Sequence, residues 1–228
     1  MDLPHGYGRN MCEQSEIRSK KMTEFNQYRK DLHDKIISYA MPEFYQRGVK
    51  AVKMDEISQG LHVSKRTVYE IFGDKEELLL AGMKMQQDEM KADIERFARA
   101  HARNVIDVIS YVYRRQMERN QKVGVVFYEE IHKMPRVVKF LKESHGKEHD
   151  DSLRFFNAGI EEGLFRSDVN YEVMMEVANL CMDGIMHKQL YKTFSMQQLF
   201  DNYFLIMIRG FCTERGLLLL DRALAMTD

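Results

Sequence analysis

Between Tyr28 and Gln46 the apolar residues Leu32, Ile36, Ile37, Ala40, Met41 and Phe44 recur at intervals of three and four, the period of one buried helix face, and Gly48 closes the segment. Pro42 inside this run removes the backbone bond to the Ser38 carbonyl at a cost of about 3 kcal/mol, so a kink is expected unless packing offsets the loss. A short segment over 55–60 then places Met54, Ile57 and Leu61 on one side. Ser64 reads as the N-cap of a further short helix, with Val63 and Val68 at the two positions of a hydrophobic staple and Val68 and Phe72 facing inward. Asp74 and Glu77 repeat the capping-box spacing just before Leu78, Leu79 and Leu80, where a longer helix begins. From there the pattern predicts helices over about 75–101, 104–119, 122–133, 136–163, 170–191 and 196–220, jointed at Asn120, Pro135, Gly163 and Asp168-Val169-Asn170. Alternating β patterns, internal repeats and low-complexity tracts are absent, and the fold class is all-α.

Composition narrows the class without changing it. The 228 residues are 44% apolar and 11% aromatic, enough to bury a sizeable core, while 13 Gly and 3 Pro are too few for a sandwich with a turn every few residues. The longest apolar run, Tyr203 to Ile208, is far short of the roughly 20 residues of a bilayer span, so no membrane association is expected. Residues 1–22, with Pro4, Gly6, Gly8 and the cations Arg18, Lys20 and Lys21, lack the apolar core of a secretory signal and read as a flexible leader. Cys12, Cys181 and Cys212 form neither a disulfide framework nor a paired-cysteine metal site, which fits a reducing, cytoplasmic setting. The net charge of −1 divides into 13 Lys/Arg against 11 Asp/Glu over residues 1–75 and 21 against 24 over 76–228. That split permits a nucleic-acid-facing N-terminal part and does not establish one.

Three short helices ending in a capped one with a polar outer face are the layout of a helix-turn-helix reader. If Val68 and Phe72 lock the third helix onto Ile36, Ala40, Phe44, Ile57 and Leu61, then Lys65, Arg66, Thr67 and Tyr69 point outward from its N-terminal end. That end suits a phosphate; Lys and Arg can read guanine O6/N7, and Thr a base edge or the thymine methyl. The same residues also suit an ordinary solvated face.

The stretch Ile57 to Leu78, ISQGLHVSKRTVYEIFGDKEEL, resembles the DNA-binding signature of TetR/AcrR-type transcriptional regulators. Ile57, Val63, Ser64, Lys65, Thr67, Tyr69, Phe72, Lys75 and Leu78 fall on that pattern, and Gly48 falls at its first-helix terminus. The resemblance implies that Ser64, Lys65, Thr67 and Tyr69 contact DNA and that Lys75 holds a phosphate at the start of the fourth helix. Arg66 stands where a small residue is usual and is assigned a base contact or a change in docking depth. Lys53 replaces a capping Thr, leaving a weaker cap and a cation near a phosphate. His62 replaces a turn Gly and would have to accept a left-handed backbone. Glu70, beside a DNA surface, is left out of the contact set.

The implied division is a leader over 1–22, a helix-turn-helix domain over 23–75, and a helical effector-binding and dimerisation domain over 76–228. By position, Phe97, Tyr111, Phe127, Phe156, Met182 and Met186 are candidates to line an effector pocket, and the absence of a clear buried charge among them favours an apolar or aromatic small molecule. Residues 170–191 and 196–220 are apolar on more than one face, which a two-fold partner would cover; Met174, Ala178, Cys181, Ile185, Phe200, Phe204 and Ile208 are the candidate homodimer contacts, with a buried hairpin in a monomer as the alternative. His145 and His149 have the spacing to share a metal and equally fit a charged, solvated turn, so no metal or cofactor is assigned. Cys181 and Cys212 sit in apolar stripes as small hydrophobes. The expected function is that of a ligand-responsive, non-enzymatic repressor binding a palindromic operator as a homodimer. A DNA-binding protein controlled by a protein partner, or a helical carrier or enzyme, are the alternatives.

Overall fold

The computed structural model describes residues 7–147 and 149–225, with side chains over 26–144 and 149–225. In chain order the helices are α1 (Tyr7–Arg47), α2 (Met54–Gly60), α3 (Lys65–Ile71), α4 (Lys75–Ala100), α5 (Val105–Asn120), α6 (Val125–Ile131), α7 (Pro135–Lys147), α8 (His149–Glu161), α9 (Tyr171–His187), α10 (Met196–Phe200), α11 (Ile206–Phe211) and α12 (Glu214–Ala225). A 3-10 turn covers Leu190–Lys192, and a π-helical segment, Asp201–Leu205, joins α10 to α11. Among the described residues there is no strand, and no helix is long and apolar enough to cross a membrane.

Local chemistry starts most of these helices. Asn104 accepts from the backbone N–H groups of Ile106 and Asp107, Asn170 from Val173, and Ser195 forms a full capping box with Gln198, each satisfying donors that have no partner within the helix. Gly48 ends α1 with φ 83°, a left-handed conformation that costs any other residue energy.

Two expectations are corrected. α1 begins at Tyr7, so residues 7–22 are helical where a frayed leader was expected; between Gly8 and Pro42 the chain has neither Gly nor Pro to interrupt it. Residues 196–220 are divided at Cys212, whose ψ of 146° is extended. There Arg166 N–H donates to the Phe211 carbonyl and Thr213 N–H to the Leu164 carbonyl, both at 2.9 Å, forming an isolated antiparallel bridge between Phe165 and Cys212. Gly159 lets the Phe165 ring lie against α8, where a Cβ would overlap it. Pro42 lies inside α1, which continues through it to Arg47, with Met41 and Phe44 buried on either side.

Burial divides into two clusters. The first joins Ile36, Ile37, Ala40, Met41 and Phe44 of α1 to Ile57, Val68 and Phe72, then to Leu78 and Leu79 of α4, Phe127 and Ile131 of α6 and Val137 of α7. Each fully buried aliphatic or aromatic side chain here stabilises by about 1.5–3 kcal/mol, so α2 and α3, too short to be helical alone, are held by this core. The second joins Val105, Ile106 and Ile109 of α5 to Leu164, Phe165, Tyr171, Ile208, Phe211 and Leu220.

Candidate nucleic-acid interface

α3 is set by its two ends. At the start, the Ser64 hydroxyl accepts the Thr67 backbone N–H at 3.0 Å and lies 2.7 Å from the Thr67 hydroxyl. At the end, Arg29 of α1 donates to the Glu70 carbonyl at 3.3 Å. Between them Val68 is fully buried, Val63 packs against the same core, and the Phe72 ring stacks on His33 at 4.8 Å. With that side pinned, Lys65, Arg66 and Tyr69 are exposed and Thr67 is half-buried, and the Lys65 ammonium lies 5.9 Å from the centre of the Tyr69 ring.

Both outward cations have carboxylate partners. Lys65 meets Asp55 of α2 at 2.8 Å, and the Arg66 Nε–H donates to Glu70 at 2.7 Å; these hydrogen bonds hold both side chains more firmly in the charged form. Asp55 was not among the residues expected at this face, and Glu70 was set outside its contacts. The Arg66–Glu70 spacing of four was legible on a helix, whereas Asp55 reaches Lys65 only because the turn folds α2 against α3.

Lys53 precedes α2 and makes no side-chain cap, because an ammonium has no acceptor. His62 adopts φ 54°, as its position in the turn requires. Lys75 is half-buried and donates to the carbonyls of Val52 at 2.8 Å and Lys50 at 3.2 Å; burial pulls its ammonium below the usual lysine range. Two of its three donors therefore fasten the α1–α2 turn.

The remaining candidates fall in three places. Phe97 and Tyr111 stack at 4.0 Å with rings 3° from parallel, and the Tyr111 hydroxyl donates to Asp93 at 2.6 Å. Phe127 is buried in the first core against Tyr45, Phe156 stacks on Tyr171 at 4.6 Å in the second, and Met182 and Met186 are half-buried on α9. Phe127 and Phe156 belong to different cores, and two surface hollows of about 420 and 370 Å³ are lined by residues of α4 and of the α6–α7 region, including His132, Lys139 and Glu143.

On α9 the exposed apolar stripe is Val173, Val177 and Leu180, with Cys181 beside it. Met174, Ala178 and Ile185 are half-buried, and Tyr203 donates to the Ala178 carbonyl at 2.6 Å, packing the next helical segment against α9. Phe200 and Phe204 are half-buried in mutual contact at 5.7 Å. Ile208 is corrected as a partner contact: at 1% exposure it is enclosed by its own subunit's core. The side chain of His145 lies outside the described residues, so the His145/His149 pair does too; no cluster of metal-ligating residues occurs among the described ones.

A capped, outward-facing α3 carrying cations and packed on α1 and α2 is a helix-turn-helix arrangement set on a helical body. Residues 36–81 match the family model of bacterial regulatory proteins, tetR family. Over these residues the chain carries a DNA-binding domain of the kind found in bacterial regulatory proteins of the tetR family. Among solved structures, a transcriptional regulator from Saccharomonospora viridis in complex with choline has a TM-score of 0.62 at 13% identity, over 81% of this chain and 100% of that one. A TetR-family regulator from Cytophaga hutchinsonii has 0.60 at 15%, over 82% and 98%, and RolR in complex with resorcinol has 0.54 at 18%, over 87% and 95%. At these identities the shared property is the fold. No curated protein matches the chain.

Proposed function

We propose that the chain is a ligand-responsive repressor acting in the cytoplasm, which binds a palindromic operator as a homodimer and carries no catalytic activity. The observation that carries the reading is the outward face of α3, where Ser64, Lys65, Arg66, Thr67 and Tyr69 stand clear of a side pinned by Val68. Residues 23–75 form the reader and 76–228 the effector and dimer part. Lys53 and the third donor of Lys75 add phosphate contacts at the edge of the reader.

The two-fold face is the apolar stripe of Val173, Val177 and Leu180 with exposed Ile206 on α11. Exposed apolar side chains of this kind favour self-association into a helical interface. Two readers related by that axis fit half-sites about 34–36 Å apart, or a multiple. The effector is a small aromatic or apolar molecule, and the stacked, half-buried Phe97 and Tyr111 are the side chains best suited to receive a flat ring; that structural relatives hold choline and resorcinol is consistent with a ligand of this size.

Selection of bound duplexes from a random pool at about 150 mM salt, with Lys65→Ala/Thr67→Ala as control, tests the reading. A palindromic motif enriched by the wild type and lost in the variant is expected. A motif without two-fold symmetry overturns the homodimer, and a motif that survives in the variant overturns the assigned reader face.

A further inference from the structure

Glu70 is the anomaly of the reader face: a carboxylate 55% exposed, beside side chains that meet a polyanion. Helix stability does not account for it. The favourable order for an i,i+4 pair places the acid first, whereas here Arg66 precedes Glu70, and an exposed pair of this kind contributes little to folding.

The geometry of the contact points elsewhere. Glu70 Oε1 accepts from Nε of Arg66 at 2.7 Å, and that is the guanidinium's hydrogen bond among the described residues. The inner edge of the fork is thereby occupied, while Nη1 and Nη2 face outward on a side chain that is 87% exposed. Two parallel donors from the end of an arginine match the O6 and N7 acceptors of guanine; adenine presents a donor at N6 in place of O6 and opposes one of them. A free arginine would equally reach a backbone phosphate. Paired with Glu70, Arg66 brings little net positive charge to the DNA, so its contact with a phosphate gains less than that of an unpaired cation and the pair weakens the sequence-independent contact.

We propose that Glu70 is a positioning residue for base recognition: it fixes Arg66 by Nε, presents the Nη1/Nη2 edge to one guanine in each half-site, and withholds Arg66 from phosphates. This rests on the docking of α3 in the major groove. It assigns a role to the residue that charge alone would set aside, and it gives Arg66 a specific base partner.

The test is the bound-sequence selection repeated with Arg66→Ala, Glu70→Ala and Glu70→Gln, together with the salt dependence of binding to a non-specific duplex. The variants alter exposed side chains, and unchanged helical content and melting confirm that they are folded. Arg66→Ala is expected to abolish a guanine preference at one half-site position. Glu70→Ala is expected to reduce that preference about fivefold or more while the other positions keep theirs, and to steepen the non-specific salt slope by about one, as Arg66 neutralises a phosphate. Glu70→Gln, which keeps an acceptor for Nε–H, is expected to retain more of the preference than Glu70→Ala. If Glu70→Ala strengthens binding to all sequences alike and keeps the guanine preference, Glu70 merely repels DNA and the proposal is overturned. If Arg66→Ala leaves every position unchanged, the docking on which the proposal rests is overturned with it.

Discussion

The backbone N–H of Lys50 donates to the Glu130 carboxylate at 2.8 Å, across 80 positions of sequence. Lys50 lies in the turn after Gly48, and Glu130 lies on α6, so one charge-assisted hydrogen bond ties the turn that precedes the reader to the helical body. Lys75 holds the same turn from the other side through the carbonyls of Lys50 and Val52.

Glu130→Ala should lower stability by about 1 kcal/mol, since it removes a charged acceptor from an ordered backbone donor, and Glu130→Gln should lose less because an amide oxygen still accepts. Urea midpoints of the three proteins check this. Identical midpoints would show that the turn keeps its place without the bond.

Asp74 caps α4 by accepting the Glu77 N–H at 2.6 Å, and its carboxylate also meets Arg136 of α7 at 3.0 Å. The backbone donor first, and Arg136 after it, hold this carboxyl below the usual carboxylate range. A lowered folded value means that the stabilisation is full above the unfolded value of about 3.9 and disappears as pH falls through the folded one. Asp74→Asn, which keeps a capping oxygen and loses the charge, should therefore be less stable than wild type at pH 7, with the difference narrowing toward about pH 3. Denaturation midpoints at the two pH values decide it, and a constant difference would remove Asp74 from the acid response.

His62 pays for its place in the helix-turn-helix turn with φ 54°. A left-handed backbone costs a residue with a Cβ about 1–2 kcal/mol, and glycine returns part of that as chain entropy. His62→Gly should raise stability by about 0.5–1 kcal/mol, read as a higher melting temperature. A lower one would show that the imidazole makes a contact worth more than the strain.

Leu180 on α9 and Ile208 on α11 separate the proposed interface from the core. Leu180 is 68% exposed and Ile208 only 1%. Leu180→Glu should give a folded monomer in sedimentation, because it places charges on both sides of the proposed apolar two-fold face. Ile208→Glu should unfold the subunit, since it buries an unpaired carboxylate in the second core. A Leu180→Glu protein that remains dimeric would move the interface elsewhere.

The helix-turn-helix was legible in the sequence because its determinants are local. Ser64 caps a backbone N–H three residues away, Val68 and Phe72 face one side by helical period, and the left-handed turn at His62 follows from the residue's place between two short helices. Asp74 likewise accepts from Glu77 as the spacing implied, although the Glu77 carboxylate returns to Gly73 N–H and so completes the box one residue earlier. The apolar richness of α9 and of residues 196–211 was equally visible. Which stripe stays uncovered was not: packing of Tyr203 against α9 draws Met174, Ala178 and Ile185 inward and turns Val173, Val177 and Leu180 out.

The sequence by itself determined the all-α class, the helix starts at Ser64, Asp74, Asn104 and Asn170, and the side of α3 that faces outward, because periodicity and capping act within a few residues of the chain. Tertiary structure alone decided that Lys75 spends two donors on carbonyls of the α1–α2 turn, that Lys65 is held by Asp55, that Phe165 and Cys212 close an antiparallel bridge, and that Ile208 belongs to the subunit's interior. Each of these depends on where a second, distant segment lies, and a helix with apolar residues on more than one side does not itself specify which side its neighbours will cover.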